Sequence, residues 1–353
     1  MTVREIKNMK PKIIAFPLAG IAYNDGLYAE FRAQGAEVVK GEWAGRWLIS
    51  NLHSGDVVHI HWPSFFYASQ GSIVEILRSF LRFLLLISLV RIRTKEIWWT
   101  AHNLMPHVRC RIPVLDTIAR NVVIRYASRV FVHGEEAKKI LLSKFQISPG
   151  KIVLIPHGHW ISHYPACESK AQARINLDMP CESFIYLFFG QCKPYKNLEG
   201  LIEVFRKVAR NDDALLVAGS FSDKTYLARI LAITADDPRI RIDHGFIPDD
   251  KVSEYLMACD VMCMPYREIL TSGTTMLALS YGRPVLSINR GFLRDTVSSE
   301  CGVLVEPGDS ESLADGLRAM RAKSWVSAEI MQVAEKFTFH DAAKLSLLCI
   351  PQR

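Results

Sequence analysis

Short apolar runs alternate with amphipathic stretches along almost the whole chain, and this rhythm limits the fold more than any other feature. Runs at 12–17, 36–39, 57–60, 97–100, 129–132 and 152–156 read as strands. Between them, 26–34, 118–127 and 135–144 carry the apolar spacing of helices. A strand–helix–strand repeat of this kind builds a parallel sheet with helices on both faces. The rhythm breaks over 158–180, where His159, Trp160 and Pro165 sit in a polar stretch. It then restarts. Strands are expected at 185–189, 214–218, 240–244, 260–265, from Val285 and at 301–305, with helices at 198–209, 223–232, 249–259, 310–323 and 328–336. The expected fold is α/β, with two Rossmann-like, doubly wound halves. The breaks put a first domain over 1–160, a linker over 161–180 and a second domain over 181–336, with 337–353 left as a C-terminal segment. Such sheets bind ligands beyond the C-terminal ends of their strands, so the loops there are where chemistry is sought.

Composition narrows the class. The 353 residues suffice for two domains, and 49% apolar content makes them globular. A net charge of +7 favours anionic partners. Lysines and arginines are dispersed apart from Arg4, Lys7, Lys10 and Lys12, and no basic run is interleaved with aromatics, so no nucleic-acid partner is expected. The eight cysteines form no Cys-x-x-Cys pair, which suits free thiols in a reducing compartment and argues against zinc. The apolar run after the charged start is short and reads as a first strand, not a signal peptide. A longer apolar stretch over 73–90 is interrupted by Glu75, Arg78 and Arg82. It reads either as a domain helix with one buried face or as a helix partly embedded in a membrane surface, its arginines toward lipid phosphates. Its uncharged part is well short of the roughly 20 residues of a span.

The densest chemistry lies over 263–285. A buried strand is followed by a polar loop with one acid, Glu268. The turn Thr271-Ser272-Gly273-Thr274 then opens a helix that Gly282 and Pro284 end. Free N–H groups at such a helix start, with the positive end of its dipole, attract an anion such as a diphosphate. Glu268 would hold sugar hydroxyls beside it. The second half opens with Gly190-Gln-Cys-Lys193-Pro-Tyr-Lys196 directly after a strand. Lys193 and Lys196 are either solvated surface lysines or cations for the same diphosphate. Gly245, Phe246 and Ile247 follow another strand and read by themselves as a hydrophobic strand exit before the Pro248 turn. In the first half, Asn24 and Asp25 either cap a helix or, for Asp25, supply a general base. His59 and His61 point the same way along a strand, and no third ligand for a metal lies nearby.

The 263–285 segment resembles the donor-binding segment of GT-B glycosyltransferases in the broad group around family 4. Their retaining members carry two spaced glutamates. Here the first would fall at Ile269, next to Glu268, and the second at Leu277, where the acid is missing. The block from Tyr266 to Gly273, His61-Trp62-Pro63 and His102-Asn103-Leu-Met-Pro106-His107 together look most like bacterial exopolysaccharide mannosyltransferases. Those are the xanthan-type GDP-mannose:glycolipid 4-β-mannosyltransferases.

The resemblance implies a GT-B fold whose two Rossmann-like domains face a central cleft, acceptor domain first and donor domain second. The 337–353 segment would cross back to the first domain. It implies inverting hexosyl transfer from GDP-mannose to a polyprenyl-diphosphate oligosaccharide, with neither metal nor cofactor. The place of work would be cytoplasmic, peripheral on the inner face of the cell membrane. It casts Asp25, His102 and Glu268 as catalytic, with the base left open among Asp25, His61 and His102, His102 touching the donor sugar and His107 an outer neighbour. Gly190, Lys193, Lys196, Glu268, Thr271, Ser272, Gly273 and Thr274 would bind donor, and Asn24, His61 and Trp62 would line the acceptor cleft. His157 and His159 would line its hinge side. Three alternatives stay open: a retaining transferase using UDP-glucose or another donor, a non-catalytic partner subunit of the same fold, and a sugar-nucleotide epimerase.

Overall fold

The computed structural model describes residues 10–68, 71–106, 109–167, 169–221 and 223–351. It divides into two compact units, one running to Gly158 and taking in the segment from Thr338, the other spanning His159–Phe337.

The first unit is built on strands β1 (Lys12–Phe16), β2 (Glu37–Lys40), β3 (Val57–Ile60), β4 (Glu96–Thr100), β5 (Arg129–Val132) and β6 (Ile152–Leu154). All are parallel, in the order β2-β1-β3-β4-β5-β6. Crossover helices cover both faces, so the central strands are buried on both sides and mostly apolar, with His59 and Thr100 as buried polar exceptions. Ile13, Ile14, Val58, Trp98 and Trp99 are fully buried. The helix Ile73–Arg93 starts at a capping box in which Ser72 and Glu75 satisfy each other's backbone N–H. The helix Phe339–Leu347 packs on Ala22–Ala33. Phe339 occupies space that only glycine leaves open, since a Cβ at Gly26 or Gly158 would lie 2.6 or 2.4 Å from its ring.

One difference from expectation bears on the site. The first helix starts at Ala22, not at 26, and Ile21 is its N-cap. Asn24 and Asp25 therefore sit in its first turn instead of capping it. Asn24 Nδ2 donates to the Pro17 carbonyl at 2.7 Å, tying the loop after β1 to the helix. His107 lies outside the described residues.

The second unit repeats the plan with β7 (Phe184–Phe189), β8 (Asp213–Gly219), β9 (Ile240–His244), β10 (Val261–Met264), β11 (Val285–Ile288) and β12 (Gly302–Val305), ordered β12-β11-β10-β7-β8-β9. Its helix Leu198–Val208 shows why the pattern was readable: Leu198, Leu201, Ile202, Val204 and Phe205 are buried. Residues 161–167 and 169–180, expected as part of a linker, belong to this unit and contain the helix Lys170–Asn176. Arg174 fastens that helix, with Nη2 2.8 Å from Asp260 Oδ2 and Nε donating to the Ala258 carbonyl at 3.0 Å. Asp260 also accepts from the Ile185 N–H at 2.7 Å. It thus ties strand starts together, at the sheet edge opposite the loops that follow the strands.

Each sheet reverses its winding once, between β1 and β3 in the first unit and between β7 and β10 in the second. A reversal parts the loops that follow the two strands and leaves a crevice for a ligand.

Candidate active site

In the second unit the two loops at the reversal carry the donor-binding residues read from the sequence. After β7, Gly190 turns with φ +96. The neighbouring strand β8 ends on Gly219, where a Cβ would lie 1.9 Å from the Gly190 carbonyl oxygen. The chain then makes a 3-10 turn, Pro194–Lys196, and Asn197 in the left-handed region starts the next helix. This turn folds Lys196 inward. Its residue is only 7% exposed, and its ammonium lies 5.3 Å over the Tyr266 ring. Burial pushes its pKa below the ordinary lysine value. Among the described residues no carboxylate pairs with it. Lys193 is half-buried beside it, and its pKa is lowered by burial and then by the Lys196 charge. A buried ammonium without a counter-ion is costly, and an anionic ligand offsets that cost.

After β10, Tyr266 is buried, with the Thr274 side chain near its hydroxyl. Arg267 reaches back to Asn197 Oδ1 at 3.2 Å. Glu268 is exposed. Ser272 caps the helix Gly273–Ser280, accepting from the Thr275 N–H at 3.2 Å. The Thr271 hydroxyl is buried without a partner. The Gly273 carbonyl takes a bond from Trp160 Nε1 at 3.2 Å. Leu277, where the resembling family has its second acid, packs into the core. Sequence reasoning missed Arg267 and Asn197, whose only signal was proximity to the two loops.

In the first unit the reversal gathers aromatic and imidazole groups. Asp25 is exposed, and Asn24 is fully buried with Oδ1 unpartnered. Trp62 stacks on His102 at 4.5 Å and 13°. His61 has both nitrogens engaged, Nε2 with Tyr28 Oη at 2.8 Å and Nδ1 with His102 Nε2 at 3.0 Å. It therefore reaches a ligand only through His102. His59 is bonded to Thr100 and Tyr28. His133 and His157 extend the cluster, each with its ring 5.0 Å from the other's and close to Tyr23. Their Nδ1 atoms donate to the Ile155 and Gly158 carbonyls, which fixes both tautomers. Burial pushes His59 and His133 down to about 3 and His157 to about 4, so these rings are neutral at pH 7. Sequence reading found His61, His102 and Trp62. Tyr23, Tyr28 and Thr100 join them only once the strands are in register.

Residues 183–322 match the family model described as glycosyl transferases group 1. They form a group 1 glycosyltransferase domain. Both lysines, Glu268 and the Thr271–Thr274 turn fall within this group 1 domain. The chain is 25% identical over 238 residues to a GDP-mannose:glycolipid 4-beta-D-mannosyltransferase of Xanthomonas campestris pv. campestris, covering 66% of this chain and 61% of the relative. It is 23% identical over 229 residues to a D-inositol 3-phosphate glycosyltransferase of Streptosporangium roseum, covering 61% and 52%. The chain thus spans about three fifths or less of the length of these curated relatives. Among solved structures it is similar to Anabaena HepE in complex with UDP and glucose, with a TM-score of 0.70 and 13% identity over 96% of this chain and 99% of that one. WaaG, a glycosyltransferase involved in lipopolysaccharide biosynthesis, gives 0.64 and 12% over 97% and 100%. The fold of the chain carrying the group 1 domain is GT-B.

Proposed function

We propose that the chain transfers a hexose from a nucleoside diphosphate sugar to a hydroxyl of a lipid-linked oligosaccharide, with inversion and without a metal. The observation that carries this reading is Lys196, a buried ammonium that no carboxylate of the described residues pairs with, 5.3 Å over the ring of Tyr266 in the loop that leads to the helix Ser272 caps. The donor's diphosphate is the missing counter-ion. Lys196 and Lys193 face the β-phosphate, and the amides of Gly273 and Thr274 add the helix-end dipole. Glu268 holds sugar hydroxyls, and Phe246, 81% exposed after β9, gives the base a flat surface. Asp25 takes the acceptor hydroxyl's proton as the new bond to the anomeric carbon forms and the bond to phosphate breaks. Negative charge then grows on the departing diphosphate, where fixed cations stabilise the transition state more than the ground state.

Relatives support the finer choices unequally. The Xanthomonas mannosyltransferase favours GDP-mannose and a glycolipid acceptor. HepE, solved with UDP-glucose, favours a second reading with a uridine donor. Titration calorimetry with GDP and UDP separates the two, and NMR of the product's anomeric configuration reports inversion or retention. Lys196→Ala is expected to lower kcat/KM by about 100-fold or more, on the scale of losing one charge-stabilising group. Wild-type turnover in that folded variant would place the donor elsewhere.

A further inference from the structure

Two residues of the loop after β10, Tyr266 and Arg267, clasp three residues of the loop after β7. The Arg267 N–H donates to the Tyr195 carbonyl at 2.8 Å. The Tyr266 ring faces the Lys196 ammonium at 5.3 Å. Arg267 Nε and Nη2 both donate to Asn197 Oδ1, at 3.3 and 3.2 Å. The loop after β7 offers these contacts a shaped target. Its 3-10 turn over Pro194–Lys196 is closed by the Lys196 and Asn197 N–H groups, which donate to the Lys193 and Pro194 carbonyls at 2.9 and 3.1 Å. Asn197 then takes φ 58, a left-handed conformation that asparagine tolerates better than most residues. Its side chain lies over Gly200 in the first turn of the next helix, where a Cβ would come within 2.7 Å of it.

Three carboxylates line the same hollow as Arg267 and Asn197, those of Glu199, Glu203 and Asp309. Each is bonded elsewhere: Glu199 to Tyr226 and Arg229, Glu203 to Lys207, and Asp309 to the first N–H groups of its own helix. Among the described residues no ion pair joins any of them to Arg267. The guanidinium is thus spent on the amide oxygen of the neighbouring loop. A lysine side chain is long and flexible, and the cost of burying its charge drives the ammonium toward water. A single 3-10 turn does little to oppose that, because such turns are short and their hydrogen bonds poorly aligned. Tyr266 and Arg267 supply the opposition. The ring presents its negative face to the cation, and the guanidinium holds the left-handed turn that follows Lys196.

We infer that Arg267 is a positioning residue that, through Asn197, keeps Lys196 turned inward before any ligand arrives. The inference rests on Lys196 as the cation of the donor site and adds the device that presets it. A charge already in place needs no rearrangement as the leaving group departs, so loss of the clasp should lower kcat as well as raise KM.

The test is a pH titration of the Lys196 side-chain NMR signals in lysine-labelled protein free of nucleotide, assigned by the signals lost in Lys196→Arg. The wild-type ammonium is expected to titrate below an ordinary lysine. In Arg267→Ala its titration should move to the ordinary value. Asn197→Gly is the control for charge: glycine suits the left-handed turn, no charge is removed, and only the Oδ1 acceptor is lost. It should give the same titration as Arg267→Ala. Each variant should lose about tenfold in kcat/KM, the effect of a hydrogen bond from a charged group. The double variant should lose no more than about twofold beyond either, because both break one contact. A wild-type Lys196 that titrates as an ordinary lysine overturns the inference with no variant needed. So does an Asn197→Gly chain whose Lys196 keeps the wild-type titration, and so do two losses that multiply in the double variant. If Lys196 is released as stated and the wild-type chain binds neither GDP nor UDP, the clasp stands and the functional reading falls.

Discussion

Gly219 and Gly190 meet where β8 and β7 end, and Gly219 cannot gain a side chain without moving Gly190. Gly219 has φ +152, and a Cβ there would sit 1.9 Å from the Gly190 carbonyl oxygen, a backbone atom that yields only if the whole loop moves. That loop leads to Lys193 and Lys196. Gly219→Ala should therefore destabilise the unit by ~2 kcal/mol through backbone strain and overpacking, and should weaken GDP binding as the lysines shift. Gly245→Ala is the informative comparison, because φ is +143 there but nothing lies within 4 Å of the added Cβ. It carries the strain without the clash, at ~1 kcal/mol. Urea denaturation gives both values, and equal losses would show that the contact with Gly190 does not matter. At this scale the sequence spoke clearly about chemistry and poorly about burial. Lys196 was readable as a cation at a strand end, yet only the 3-10 turn over Pro194–Lys196 shows that it points inward. Leu277 was readable as a missing acid because the Gly282-Arg-Pro-Val exit fixes the count.

The helix Ile73–Arg93 illustrates what one element can do with two faces. Ile76, Phe80, Phe83, Ile87 and Val90 are buried in the first unit. On the outer side Val74, Leu77, Leu81 and Leu85 form an exposed apolar stripe beside Arg78 and Arg82. The two readings of this stretch are thus compatible: one face belongs to the core, and the other fits a shallow insertion between anionic headgroups. No described helix is long and apolar enough to cross a membrane. Leu81→Glu with Leu85→Glu should abolish flotation with phosphatidylglycerol vesicles while leaving the melting temperature within a degree or so, since both side chains are exposed. Flotation unchanged by the pair, or equal on neutral vesicles, would reject the surface. Elements with a strong period were legible end to end, as with Leu198–Val208, β5 and Glu135–Lys144. The helices Gly45–Asn51 and Lys170–Asn176 were not, because two turns give too few apolar positions to show a period. The second is held by the Arg174–Asp260 pair, a contact 86 residues apart that no local pattern announces. The imidazole cluster was half visible: alternation aligned His59 with His61, but Tyr28 and Thr100 needed the parallel register of β3 with β4.

Across the whole molecule the buried histidines are distributed unevenly, and that gives the two units different responses to acid. His59, His61, His102, His133 and His157 are buried, and all belong to the first unit. In the second unit His159, His163 and His244 are partly or fully exposed. Desolvation lowers His59 and His133 to about 3 and His157 to about 4, and it holds His61 well below its ordinary value. An unfolded chain takes up these protons near pH 6.5, so below that pH the unfolded state binds more protons than the folded one. The contribution is fully present above about pH 6.5 and is lost as pH falls toward the folded values near 4 and 3. At pH 5.5 each such ring should cost on the order of 1 kcal/mol. Several rings acting together remove a large part of a domain's marginal stability. Calorimetry between pH 7.5 and 5 should therefore show the transition of the first unit falling by many degrees while that of the second moves little. Nucleotide binding, proposed for the second unit, should persist in acid after transfer activity has gone. A first-unit transition that stays flat from pH 7 to 5.5 would mean that these rings are already hydrated in the native protein, with the imidazole cluster open to water.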